Sequence, residues 1–246
     1  MIELAEQDGV AVLRLAHGKV NAMSLEFCEA MTARFAEISS RAVVMTATGR
    51  TFSAGVDLVR LLEGGAPYVR KFLPVLSNMF VTVFSHPAPV VAAINGHAIA
   101  GGCVLACAAD KRLMARDGGR IGVTELLVGV PFPPVAMEIM RCAAAPRFFA
   151  DAIFSGATYT PDEAVARGFV HDVVEPQALL EHAVAAANAL AALPPKAFAL
   201  TKRQIRAPAL ERMQSPALDA AIAQIWTAPE TLDYIRDYVA RTLRKS

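Results

Sequence analysis

Thr51-Phe-Ser-Ala-Gly-Val-Asp-Leu58 and Ile94-Asn-Gly-His-Ala-Ile-Ala-Gly-Gly-Cys103 are the stretches that decide how this chain folds. Each follows a β-like run, residues 42–46 before the first and 90–94 before the second. Each is built of small residues, and the second leads into an apolar helical segment at 103–109. Small side chains let backbone N–H groups approach a ligand closely. Two such N–H groups converging on one oxygen, one of them at a helix N-terminus, make an oxyanion hole. Either stretch taken alone also reads as a tight turn with no ligand, because Gly-rich strand-to-helix turns are common.

Residues 87–109 carry no Asp, Glu, Lys or Arg, a length that by itself suits a membrane span. Asn95-Gly96 and Gly101-Gly102 interrupt the run as a strand, turn and helix would, so a buried strand and a buried helix are expected. The 246 residues, 54% of them hydrophobic, suffice for one large domain or a domain with a small helical addition. Net charge is +1 with no basic stripe, which argues against a nucleic-acid partner. The first eight residues are acidic and lack an apolar stretch, unlike a signal peptide. With no transit peptide or transmembrane segment read either, a cytoplasmic location and no membrane partner are expected. Cys103 and Cys107 lie four apart in an Ala-rich segment without an accompanying His or second Cys pair. They read as small core residues in a reducing compartment, and no metal is expected.

Residues 2–15 alternate around Asp8-Gly9, a hairpin pattern. Ser24 is placed to cap a helix reaching about Ser40, with Leu25, Met31, Phe35 and Ile38 as its apolar positions. A helix starts after Asp57, a loop surrounds Gly64-Gly-Ala-Pro67, and a second helix runs over 68–84. Residues 90–94, 111–115 and 121–124 read as further strands. From about Phe132 the chain is mostly helical, broken at Pro146, Pro161, Pro176, Pro194, Pro208 and Pro216. The last helix, 230–244, places Leu232, Ile235 and Val239 on one face and ends in Arg241, Arg244 and Lys245, which complement its dipole. Strands alternating with helices, followed by a helical tail, predict an α/β core of repeated ββα or βαβ units.

Five motifs in order resemble the enoyl-CoA hydratase/isomerase family, the crotonases. They are Lys19-Val-Asn-Ala-Met-Ser-Leu-Glu-Phe27, the two turns, Ile121-Gly-Val-Thr-Glu-Leu-Leu-Val-Gly-Val-Pro131, and a C-terminal set of Phe154-Ser-Gly-Ala157, residues 164–174 and Leu200-Thr-Lys202. The resemblance covers nearly the whole chain. It implies a crotonase-like spiral of repeated ββα units, with residues 1–190 as the catalytic core and 191–246 as a helical region for assembly and active-site cover. It implies an acyl-CoA substrate, no cofactor beyond the CoA of that substrate, and a homotrimer or dimer of trimers. The oxyanion hole would be the backbone N–H groups of Ala54 and Gly101. Val20, Ala22, Ser53, Ala54, Gly55, Val56, Asp57, Leu58, Gly101, Val104, Thr124 and Phe132 would meet the CoA ester. Arg241, Arg244 and Lys245 are candidates for the CoA phosphates.

A CoA thioester is acidic at the carbon beside its carbonyl, because the enolate charge moves onto the thioester oxygen. An enzyme for that chemistry donates hydrogen bonds to the oxygen and holds a base beside the carbon. The family's hydratases have two glutamates. One position is Val104 here and the other is Glu125. Hydration usually divides its work between two carboxylates, whereas moving a double bond from the 3,4 to the 2,3 position needs one base. The chain therefore resembles the Δ3,Δ2-enoyl-CoA isomerases most, in fatty-acid β-oxidation, with Glu125 catalytic. A surface carboxylate is the other reading of Glu125, and its apolar neighbours over 121–130 argue for burial, which would raise its pKa. Enoyl-CoA hydratase, another enolate reaction on acyl-CoA, and a non-catalytic acyl-CoA-binding protein are the alternatives. His97 reads as a backbone spacer, Asp57 as a cap and Asp110 as a strand-start residue. Asp151 and His86 are outside candidates. Phe132, Pro133 and Pro134 are candidate walls of the acyl pocket. The segment 129–134 is shorter than the family's usual Gly-rich turn.

Overall fold

A computed structural model describes residues 1–243. Strands β1 (Ile2–Gln7) and β2 (Val10–Leu15) form the expected hairpin. Asp8 and Gly9 both have positive φ, as a two-residue turn between twisted strands requires. Helix α1 (Leu25–Glu37) begins where Ser24 accepts a hydrogen bond from the Phe27 N–H at 3.2 Å. It stops short of Ser40, because Ile38 has turned extended.

Three ββα units follow: β3 (Val43–Ala47), β4 (Thr51–Ser53) and α2 (Leu58–Ser85); β5 (Val90–Ile94), β6 (His97–Ile99) and α3 (Gly101–Cys107); β7 (Lys111–Ala115), β8 (Ile121–Gly122) and α4 (Glu125–Val128). The first strand of each pair joins a six-stranded sheet, and the second joins a four-stranded sheet. That regular exchange is the spiral. The chain then runs through α5 (Pro134–Ala143), α6 (Pro146–Ser155), β9 (Thr158–Tyr159), α7 (Pro161–Ala166) and β10 (Asp172–Val174). Four helices finish it: α8 (Leu179–Ala191), α9 (Pro195–Arg212), α10 (Pro216–Trp226) and α11 (Pro229–Leu243). The large sheet has the order β1-β2-β3-β5-β7-β10, and the small one β4-β6-β8-β9.

The strands that sequence patterning misses are the short ones. β4, β6, β9 and β10 have two or three residues each, too few to show a period of two. The strand expected over 121–124 ends at Gly122, and Thr124 instead stands at the N-terminus of α4. The expected loop at 64–67 is a kink at Gly65 (φ 55°, ψ −159°) inside α2. Pro67 sits just after the kink, where a missing N–H costs little.

The central strands β3 and β5 are buried on both faces, so they read as nearly unbroken apolar runs, whereas the edge strand β1 is largely exposed. Val43 and Met45 face the main core, whereas Val44 faces a second cluster covered by Leu179, Ala183, Val184 and Ala187 of α8. A third cluster joins Leu61, Val69 and Leu73 of α2 to Val128, Val130, Trp226 and Ile235. Ala209 of α9 and Met213 just after it belong to the main core, so packing runs across position 190 without a break. Among the described residues no single helix is long and apolar enough to cross a membrane.

Candidate active site

The two small-residue turns meet. Gly55 (φ 83°) leaves no room for a side chain, since a methyl group there would sit 2.9 Å from the Gly101 nitrogen. Gly102 is equally constrained, because a methyl group would lie 2.1 Å from the Ser53 carbonyl oxygen. The Ser53 hydroxyl is engaged by the backbone of the turn. It is fully buried, donates to the Asn21 carbonyl at 2.8 Å and accepts from the Gly55 N–H at 3.1 Å. It clamps the turn.

Which N–H groups remain free follows from the hydrogen bonds. The Ala54 N–H donates to the Val20 carbonyl at 2.9 Å. It is already engaged, which corrects the expectation that Ala54 supplies an oxyanion donor. Met23 bridges to the next residues: its N–H donates to the Gly55 carbonyl at 2.7 Å, and its carbonyl accepts from the Asp57 N–H at 3.0 Å. In extended backbone, alternate N–H groups point to opposite sides. The Val56 N–H therefore points away from Met23, and it has no acceptor among the described residues. Gly101, the first residue of α3, likewise has an N–H with no intrahelical acceptor. Ala100 before it holds φ 51°, an uncommon conformation for a residue with a side chain. Its N–H donates to the Gly122 carbonyl at 2.8 Å, and its carbonyl accepts from Cys103 and Val104. These bonds hold the strained turn that presents Gly101.

Val56 and Gly101 line a cavity of about 100 Å³. Of the positions expected at the CoA ester, Ala54, Val56, Leu58, Gly101, Val104 and Thr124 line it, together with Glu125. Val20, Ala22, Ser53, Gly55, Asp57 and Phe132 do not. Phe132 packs into the main core, and of the three candidate wall residues Pro133 alone reaches the cavity. Asp57 caps α2 by accepting from the Arg60 N–H at 3.0 Å. His97 is exposed and its ring accepts from the Arg120 N–H at 3.1 Å; Asp151 is exposed as well, and neither they nor His86 lines the cavity. Arg241 lies on exposed surface, and Arg244 and Lys245 lie outside the described residues. Sequence reading missed Leu76, Phe80, Trp226 and Tyr238, which come to the cavity from α2, α10 and α11. Only their place on apolar helix faces could have suggested them.

Glu125 is 8% exposed, and its Oε2 is buried with no hydrogen-bond partner. An orphaned buried carboxylate oxygen is costly to keep and marks a functional position. Burial pushes its pKa up to about 7, against the opposing pull of its own and the Thr124 N–H. Among the residues that line the cavity it carries the only carboxylate. Val104, at the family's other glutamate position, lines the same cavity. No cluster of three or more His, Cys, Asp or Glu suited to a metal occurs among the described residues.

This spiral fold is that of the crotonases. The enoyl-CoA hydratase/isomerase family model matches residues 5–233, and the chain belongs to that family. A putative enoyl-CoA hydratase from Thermus thermophilus is 34% identical over 207 residues, 83% of this chain and 81% of that one. Human mitochondrial enoyl-CoA delta isomerase 1 is 28% identical over 212 residues, 83% of this chain and 70% of that one. Among solved structures, human mitochondrial Δ3-Δ2-enoyl-CoA isomerase matches with a TM-score of 0.94, covering 100% of this chain and 99% of that one. At 24% identity that likeness establishes the fold.

Proposed function

We propose that the protein is a Δ3,Δ2-enoyl-CoA isomerase. The observation that carries this reading is the single carboxylate in the cavity, Glu125, with Val104 at the second family position. The thioester oxygen accepts hydrogen bonds from the N–H groups of Val56 and Gly101, each such donor contributing about 3 kcal/mol to the barrier. The Glu125 carboxylate removes a proton from C2. The C–H electrons form a C1–C2 double bond and the charge moves to the thioester oxygen, giving a dienolate. Glu125 then returns the proton to C4, the C2–C3 double bond forms and the carbonyl reforms. No proton is gained or lost overall, and one base with a pKa near neutrality suffices. The reading needs no metal or organic cofactor, since CoA is part of the substrate. It also includes a homotrimer or dimer of trimers, in which exposed apolar residues such as Phe154 and Ile205 would be covered.

Hydration is the second reading, favoured by the name of the Thermus thermophilus relative. One assay separates them. The protein is offered 3-enoyl-CoA and 2-enoyl-CoA side by side, and the shifted alkene is separated from 3-hydroxyacyl-CoA. Glu125→Gln keeps the side-chain shape and cannot take the proton, so isomerisation should fall by about a hundredfold or more with CoA-ester binding retained. Wild type hydrating as fast as it isomerises overturns the isomerase reading. A Glu125→Gln variant with wild-type turnover overturns Glu125 as base, and binding without C2 proton exchange leaves a non-catalytic binder.

A further inference from the structure

The cavity that holds Glu125 is small and its walls are apolar. Leu76 and Phe80 come from α2, Val104 from α3, Val130 from the segment before α5, and Trp226 and Tyr238 from the last two helices. At about 100 Å³ it is smaller than the ~150 Å³ cavities that admit a benzene ring. The same space has to take the thioester carbonyl, because Val56 and Gly101 line it too. Trp226 is a fixed wall. Its indole N–H donates to the Pro131 carbonyl at 2.9 Å, and its ring, 2% exposed, packs in one cluster with Val128, Val130 and Ile235. Interiors are packed too tightly for such a side chain to move aside without loss of several contacts. Tyr238 is half-buried and lines the cavity beside it.

We propose that the site takes short-chain acyl-CoA, an acyl group of about four carbons, and that Trp226 sets this limit. The inference rests on the acyl-CoA reading of the same cavity, and binding tests it apart from catalysis. Butyryl-CoA and decanoyl-CoA are saturated and cannot be isomerised. Their affinities are measured by calorimetry on the full chain, and in wild type also by the fluorescence of Trp226, the chain's single tryptophan. Wild type should bind butyryl-CoA at least about tenfold more tightly, the discrimination a small apolar pocket gives for excess methylenes. Equal or tighter binding of decanoyl-CoA to wild type overturns the proposal.

Trp226→Ala should move the ratio of the two affinities toward decanoyl-CoA by about tenfold or more. An unchanged ratio in a variant with wild-type circular dichroism removes Trp226 from the role. Should Trp226→Ala fail to fold, Tyr238→Ala moves the ratio the same way by a smaller factor, and an unchanged ratio there overturns the wall. A butyryl preference in a protein that isomerises nothing supports the size limit and sinks the isomerase reading. Faster turnover of 3-decenoyl-CoA than of 3-butenoyl-CoA sinks the size limit and leaves the isomerase reading standing.

Discussion

Glu125 is the proposed base, and its raised pKa would link activity to stability. An ordinary glutamate has 4.5, and burial raises Glu125 to about 7. The proposed mechanism uses the base form, so under it wild-type turnover should climb through pH 7 to a plateau above it. Stability runs the other way. The folded state holds this proton more tightly than the unfolded chain, so the contribution is full below pH 4.5 and is lost as pH rises through 7. Glu125→Gln removes the cost of ionising a buried group. The pH-dependent part of the variant's gain over wild type should reach about 3 kcal/mol above pH 7 and fade toward pH 4.5. Urea unfolding at a series of pH values measures it, and a difference that does not change with pH would place Glu125 in a more solvated setting. Its isolation is visible in the sequence as an apolar neighbourhood, 121–130, but the orphaned Oε2 is a property of the folded cavity.

Among the elements, the tie between the large sheet and α9 is electrostatic as well as apolar. Asp110, immediately before β7, accepts from the Val90 N–H at 2.8 Å. The same carboxylate pairs with Lys202 at 2.6 Å and Arg206 at 2.8 Å, one helical turn apart on α9. Lys202 also donates to the Ala88 carbonyl at 3.2 Å, and Arg206 to the Phe84 carbonyl. Burial lowers the Lys202 pKa to about 8 against the pull of Asp110. Asp110→Asn leaves two cations buried without a counter-ion and should destabilise the fold by about 3–5 kcal/mol. Chemical denaturation measures this, and a loss below about 1 kcal/mol would show that water already screens the group. As a strand-start residue Asp110 was legible from the sequence; its partners on α9, some ninety residues later, were not.

At the scale of the whole molecule, the C-terminal helices are inseparable from the core. Ala209 and Met213 complete the main cluster, and Trp226 with Ile235 closes the third cluster onto α2. The large sheet pairs β10 with β7 and β3 with β5, so distant segments hold one another. Unfolding should therefore be a single cooperative transition, with near- and far-ultraviolet circular dichroism giving coincident curves. Two resolved transitions would show that the helices beyond residue 190 melt apart from the spiral. The strands and helices of the core were legible because their periods are long enough to count. The short second strands of the ββα units and the make-up of the cavity wall were not, since both depend on which elements meet.

Apart from the family and its spiral, which rest on the resemblance of whole motifs, the amino-acid sequence by itself determined the α/β alternation, the hairpin at Asp8-Gly9, the cap at Ser24 and the lone glutamate. Each is a local matter: a period, a turn residue, or a side chain present or missing at one position. Tertiary structure alone decided which backbone N–H groups are free. Ala54 and Val56 sit two apart in the same small-residue turn, and nothing in the turn distinguishes them. Val20, distant in sequence, takes the Ala54 N–H, while the bridge from Met23 turns the Val56 N–H away. A backbone donor is available to a ligand only if no neighbour in the fold has claimed it.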